Sequence, residues 1–239
     1  MKTINSPFAL GLALALLVPL GQAEKLPIET FFKDPEFSRM RLSPDGKWLA
    51  AIAPREGKNN LLTIRLSDRK LFGCTAEDEN EVFSFTWISN ERLIFQMKDR
   101  NNFPNGGLYA VNCDGSRHKV LNPSFKTYRE FGSRVFKAVE LFAPLTDEGG
   151  DILVEVRKGG GSFREERAFY GNIVRLNTLT AKEKRVVFNR GDILQFIADR
   201  DNVVRIGVAQ HGLIRTIIYR RDAKSDWEEI YSADFRTSM

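Results

Sequence analysis

After residue 23, short runs of β-branched and aromatic residues recur in groups of four, and this recurrence leaves few architectures open. The first group reads Arg39 to Leu42, Trp48 to Ala53, Leu61 to Leu66 and Lys70 to Thr75. The second reads Val82 to Ile88, Arg92 to Met97, Gly107 to Cys113 and His118 to Leu121. The third is Ala138 to Ala143, Ile152 to Val156, Asn172 to Asn177 and Lys184 to Phe188. The fourth is Ile193 to Ala198, Val203 to Ala209, Ile214 to Arg220 and Trp227 to Tyr231. Alternation over so few residues is the period of a strand, and no stretch shows a helical period over three turns. A repeat of about 45 to 60 residues with four strands matches a β-propeller blade. The sequence therefore predicts an all-β fold: about four blades of four antiparallel strands, in an incomplete or open propeller. A β-sandwich ranks second, because it does not require similar hairpins at regular offsets.

The turns within the groups carry their own chemistry. In Ser43-Pro44-Asp45-Gly46, proline presets φ for the first corner of a type I turn, and Gly46 accepts the left-handed position of a hairpin bulge. Ser89-Asn90-Glu91, Asp147-Glu148-Gly149-Gly150 and Asp199 to Asn202 occupy the corresponding places.

A leader precedes the repeats. Lys2 supplies positive charge, an apolar stretch runs from Phe8 to Leu20, and Gly21-Gln22-Ala23 places small residues where a signal peptidase cuts. That apolar stretch is about 13 residues, short of the ~20 a membrane helix needs. The reading is a signal peptide over residues 1–23, cleaved after Ala23, and a propeller over 24–239. It implies a periplasmic or secreted protein with no membrane attachment once the leader is removed. Charge does not suggest a nucleic-acid partner. The 36 Lys and Arg are interleaved with 31 Asp and Glu, for a net charge of +5, and no basic stripe forms. The two cysteines, Cys74 and Cys113, have no CxxC or clustered His beside them. Export leaves them open to bridging. Half-buried strand positions are the reading, with a Cys74–Cys113 bridge as the alternative.

The stretch Phe37-Ser38-Arg39-Met40-Arg41-Leu42-Ser43-Pro44-Asp45-Gly46-Lys47-Trp48-Leu49-Ala50 resembles the first blade of exported peptidases of the prolyl oligopeptidase family. Bacterial members similar to acylaminoacyl-peptidase and dipeptidyl aminopeptidase resemble it most. Leu26 to Phe32 looks like their entry segment, and Phe85 to Leu93 like the start of their second blade. The Ser-Pro-Asp-Gly-Lys motif alone is shared with TolB-like propellers. The resemblance implies a propeller that limits which substrates reach the Ser-Asp-His triad of an α/β-hydrolase domain. This sequence has no Gly-x-Ser-x-Gly elbow, and Gly161-Ser162-Phe163 lacks the closing glycine. The chain stops at Met239, and Ser232 to Arg236 reads as the lead-in to a further blade. The expectation is a truncated or split reading frame, or a half that needs a partner: a separate hydrolase domain or another propeller half. A free-standing periplasmic TolB-like interaction scaffold is the alternative. No catalytic, metal or cofactor residues are expected.

The candidate site is the set of connections between second and third strands, which emerge on one face of a propeller. They carry Arg55 and Lys58, then Lys98 and Arg100, then Arg157, Lys158, Arg164 and Arg167, then His211. A basic rim of this kind attracts an acidic protein partner or a peptide carboxylate. The third connection is an insertion from Lys158 to Arg167 whose three glycines suit a lid or docking arm. Glu165-Glu166 superficially resembles the paired acids with which dipeptidyl-peptidase propellers hold a substrate amino terminus, although the flanking residues differ. His118 reads as an exposed corner residue, and Trp48, Trp87 and the phenylalanines as packing between blades.

Overall fold

The computed structural model describes residues 36–77, 79–98, 107–132, 135–145, 150–160, 170–234 and 236. Among the described residues, sixteen strands form four antiparallel sheets of four, each strand beside its neighbours in sequence. Blade 1 comprises β1 (Ser38–Leu42), β2 (Trp48–Arg55), β3 (Lys58–Arg65) and β4 (Lys70–Gly73). Blade 2 comprises β5 (Glu81–Trp87), β6 (Arg92–Lys98), β7 (Leu108–Asn112) and β8 (Lys119–Asn122). Blade 3 comprises β9 (Val135–Pro144), β10 (Asp151–Gly160), β11 (Asn172–Asn177) and β12 (Glu183–Val187). Blade 4 comprises β13 (Ile193–Ala198), β14 (Val204–His211), β15 (Ile214–Tyr219) and β16 (Glu228–Asp234). Four separate meanders, with no strand exchanged between sheets, make an open propeller and not a sandwich.

The Ser-Pro-Asp-Gly turn closes as its residues dictate. The Gly46 amide donates to the Ser43 carbonyl at 2.9 Å, and Gly46 sits at φ +69°. The Asp45 carboxylate accepts from the Ser43 hydroxyl at 2.7 Å and from the Lys47 amide at 3.2 Å. These donors hold the Asp45 carboxyl below its ordinary range.

Alternation along each strand sends one set of side chains to each neighbouring blade. Three cores result. Ala50, Ile52 and Leu61 of blade 1 pack on Phe85, Leu93 and Phe95 of blade 2. Ile94, Leu108 and Leu121 of blade 2 meet Ile152, Val154 and Leu176 of blade 3. Leu153, Ile173 and Val187 of blade 3 meet Ile193, Phe196 and Ala209 of blade 4. Each such aliphatic side chain contributes about 1.5–3 kcal/mol by leaving water. None of these three clusters joins blade 4 to blade 1.

Polar stitches cross the same seams. Trp87 Nε1 of blade 2 donates to the Arg41 carbonyl of blade 1 at 3.1 Å. Arg92, at the start of β6, is 4% exposed and reaches into blade 3. Its Nε donates to Thr178 Oγ1 at 2.9 Å and its Nη2 to the Thr178 carbonyl at 2.6 Å. Its Nη1 donates to Asn112 Oδ1 at 2.7 Å and to the Arg117 carbonyl at 3.2 Å. Burial, with Arg117 nearby, pushes the guanidinium down to about 10, so it remains charged at neutral pH.

The structure corrects several expectations. Ser232 to Asp234 continue β16 and do not begin another blade, because they stay in register with Ile214 to Thr216 of β15. The second and third strands of blade 1 extend to Arg55 and from Lys58, leaving only Glu56-Gly57 between them. A short helix, α1 (Phe125–Glu130), follows blade 2. Ser124 caps it, its hydroxyl accepting from the Thr127 amide at 3.2 Å. Cys74 and Cys113 are both buried at the blade 1–blade 2 seam as free thiols. Cys74 Sγ lies 3.9 Å from the Cys113 carbonyl oxygen. The leader, the entry segment and most of the 158–167 insertion lie outside the described residues.

Candidate functional site

The connections between second and third strands share one end of each blade with the starts of the first strands, because every sheet is an up-and-down meander. In blade 1 the connection is a two-residue hairpin. Glu56 and Gly57 have φ of +52° and +76°, the pair of left-handed conformations that a type I′ turn requires. Arg55 and Lys58 are thereby placed directly opposite one another, with Arg55 exposed.

Lys58 does not point free into solvent. Its Nζ lies 3.6 Å from Glu81 Oε1, while Lys98 Nζ lies 3.3 Å from Glu81 Oε2. Asn59 Nδ2 donates to the same Oε2 at 3.3 Å. Glu81 opens β5 and faces Lys98 across the blade 2 ladder. One carboxylate therefore gathers an ammonium from each of two blades. The trio keeps one net positive charge at the seam.

The third blade repeats the theme. Arg157 Nε is 3.0 Å from Glu155 Oε1, and its Nη1 is 3.5 Å from Glu140 Oε2. Lys158, the next residue, is exposed. In blade 4, His211 Nε2 lies 3.4 Å from Asp192 Oδ2, just before β13. Arg100, Arg164, Glu165, Glu166 and Arg167 fall outside the described residues. His118 is exposed and sets its ring edge-on to Phe95 at 6.5 Å between centroids.

The structure thus joins Lys58 to Lys98 through Glu81, and pairs Arg157 and His211 with local acids. These half-exposed pairs contribute about 0–1 kcal/mol each. Their consequence is chiefly electrostatic: among the described residues, the cations of this end are largely offset by neighbouring acids. Glu81, Glu140, Glu155 and Asp192 are the members that a search for basic residues passes over. Ladder register was the available signal for Glu81, since it sits directly opposite Lys98. Among the described residues, no three His, Cys, Asp or Glu gather as metal ligands, and no helix is long and apolar enough to cross a membrane.

Comparison with known proteins adds the following. No family model matches the chain. It is 27% identical over 218 residues to dipeptidyl peptidase family member 6 of Caenorhabditis elegans, covering 90% of this chain and 27% of that one. It is 21% identical over 217 residues to dipeptidyl aminopeptidase BIII of Pseudoxanthomonas mexicana, covering 90% and 29%. The chain therefore spans less than a third of the length of these curated relatives. Among solved structures, a prolyl endopeptidase superposes with a TM-score of 0.51 at 14% identity, over 83% of this chain and 30% of that one. An oligogalacturonate lyase in complex with manganese superposes with a TM-score of 0.50 at 11% identity, over 84% and 55%. The two superpositions speak to fold alone. The chain is thus an open propeller part that is similar in sequence to dipeptidyl peptidase and aminopeptidase family members.

Proposed function

We propose that this chain is a non-catalytic propeller module of the substrate-gating kind, acting beside a serine-peptidase centre, in the periplasm or outside the cell after cleavage at Ala23. The observation that carries the reading is the alignment of nine-tenths of the chain with dipeptidyl peptidases, over a span that folds as consecutive blades. A propeller of this type sieves peptides at the rim. Here the rim offers carboxylates, ammonium groups and guanidinium groups in alternation, which suits the charged ends of short peptides or a polar protein surface.

The experiment pairs an activity assay with a capture assay. The purified chain alone leaves a dipeptidyl chromogenic substrate intact. Crosslinking in the native host recovers a protein bearing a hydrolase domain, and charge reversal at Arg157 and Lys158 reduces that recovery several-fold. Hydrolysis by the pure chain, or recovery indifferent to the reversal, overturns the proposal. The alternative is a free-standing TolB-like scaffold. It draws support from the ion-paired rim, which needs no hydrolase to be stable, and its signature is a recovered partner without hydrolase sequence.

A further inference from the structure

The position just past the third strand is equivalent in blades 2, 3 and 4. Its amide donates to a carbonyl at the entry of the second strand: Cys113 to Glu91 at 2.7 Å, Thr178 to Gly150 at 3.1 Å and Arg220 to Arg205 at 2.9 Å. In the first two cases the preceding blade reaches in with a donor. The Thr63 hydroxyl of blade 1 donates to the Cys113 carbonyl, and Arg92 of blade 2 donates to the hydroxyl and the carbonyl of Thr178. Blade 4 reverses the polarity. Arg220 is 6% exposed, and its guanidinium carbon lies 4.7 Å from the ring centroid of Trp227, which packs against the blade 3–blade 4 core. A guanidinium has donors only, so this seam calls for an acceptor.

Two of the three Arg220 nitrogens find one. Nε donates to the Val204 carbonyl at 2.7 Å and Nη1 to the Ala223 carbonyl at 3.3 Å. Nη2 has no partner among the described residues and less than 1 Å² of exposed surface. Among the described residues no carboxylate pairs with Arg220. Asp222 instead accepts from the Lys224 and Ser225 amides at 2.8 and 3.0 Å, and Asp199 is engaged by Arg205. Arg92 is the internal contrast: it too lacks a carboxylate, but all three of its nitrogens donate. Burial lowers the Arg220 guanidinium from its ordinary value, Asp222 offsetting part of the effect. The side chain keeps its proton in a folded protein, so a whole charge and one orphan donor remain buried together.

We propose that Arg220 anchors a small-anion site in the seam between blades 3 and 4, where Nη2 holds a monovalent inorganic ion, chloride being the simplest case. A water molecule satisfies the donor and leaves the charge unbalanced, whereas an anion does both. The sealed nitrogen selects for size. An ion of chloride's radius needs far less opening of the seam than a sulfate, a phosphate or a carboxylate carried on a peptide. Contact with Trp227 positions the guanidinium without neutralising it. The ion then does at this seam what Thr178 does at the preceding one, supplying an acceptor to a buried guanidinium. The inference rests on the surroundings of Arg220 and does not depend on the peptidase reading.

The test is urea unfolding of the purified full chain with chloride exchanged for gluconate at constant ionic strength, which leaves general screening unchanged. The expected midpoint rises with chloride and levels off. For a dissociation constant of about 10 mM, about 100 mM chloride raises the folded-to-unfolded ratio about tenfold. Arg220→Gln abolishes the dependence, while Arg221→Gln, at an exposed neighbour, keeps it. Bromide locates the ion without altering Arg220. It quenches a saturable part of the fluorescence of the three tryptophans, and Trp227→Phe removes that part while Trp48 and Trp87 remain. Identical unfolding in chloride and gluconate overturns the proposal. So does a chloride effect that survives Arg220→Gln, or saturable quenching that survives Trp227→Phe.

Discussion

Arg92 offers a direct test of how the blades are held together. It buries a charged guanidinium with no carboxylate partner among its hydrogen bonds, donating to Thr178, Asn112 and the Arg117 carbonyl. Arg92→Ala removes all four bonds and opens a cavity between blades 2 and 3. Its acceptors are neutral, so truncation strands no charge and costs about 1–3 kcal/mol for each acceptor that stays dry. Thr178→Val is gentler. It keeps the carbonyl acceptor but deletes the Oγ1 that accepts from Arg92 and donates to the Gly150 carbonyl at 2.6 Å. One buried donor then loses its partner, while the Gly150 carbonyl keeps the Thr178 amide at 3.1 Å, for about 1–3 kcal/mol. The two side chains are in direct contact, so their effects are not additive. The double variant should fall short of the sum by about 1–2 kcal/mol. Urea unfolding of the parent, both single variants and the double variant measures every term. A cost below about 1 kcal/mol for Arg92→Ala, or a coupling of zero, refutes the clamp and reduces Arg92 to a filler of the seam.

Other consequences are open to measurement. Gly115→Ala destabilises by about 2 kcal/mol or more, because Gly115 sits at φ +80° and a Cβ there meets the Gly73 carbonyl oxygen at 2.7 Å; thermal unfolding reports it. The thiols of Cys74 and Cys113 are pushed up to about 11 and about 12, chiefly by desolvation. Native protein should therefore resist alkylation at pH 8, while both thiols react at once in denaturant; fast native labelling would contradict their burial. Asp68 is held down to about 2, chiefly by the Arg65 side chain, and Asp199 is lowered, chiefly by Arg205. A carboxyl with a depressed folded value contributes stability that is fully present above its unfolded value, near pH 4, and lost as pH falls through the folded one. The urea midpoint therefore declines between about pH 4 and pH 2, and Asp68→Asn flattens that decline.

Much of the blade plan was legible because its signals are local. Ser43 to Gly46 specify their own turn within four residues, and runs such as Leu93 to Phe95 declare a strand without reference to anything distant. Boundaries were less legible where the turn lacked such residues. Glu56 takes a left-handed φ that its side chain does not advertise, so the Glu56-Gly57 hairpin was read as a longer loop. The α1 turn was missed because six residues carry too little periodicity to be seen. The rim was legible only in half. The lysines stand out in sequence, but the acids that hold them come from register and from neighbouring blades, as Glu81 does for Lys58 across 23 positions of chain. Arg92 shows the limit most clearly. Nothing near residue 92 announces burial, because its partner Thr178 lies 86 positions away.

Each blade keeps its strand ladders within itself, and the three cores link only consecutive blades. Energetically the chain is then a short one-dimensional array, in which each unit is supported by nearest neighbours alone. Among the described residues, blades 2 and 3 have two supporting neighbours, whereas blades 1 and 4 have one. Opening should accordingly run inward from the ends, and amide exchange should rank β14 and β2 below β6 and β10 in protection, even though all four are second strands with the same pairing. Any event that covers an end blade would raise protection in that blade first and pass inward by one seam at a time.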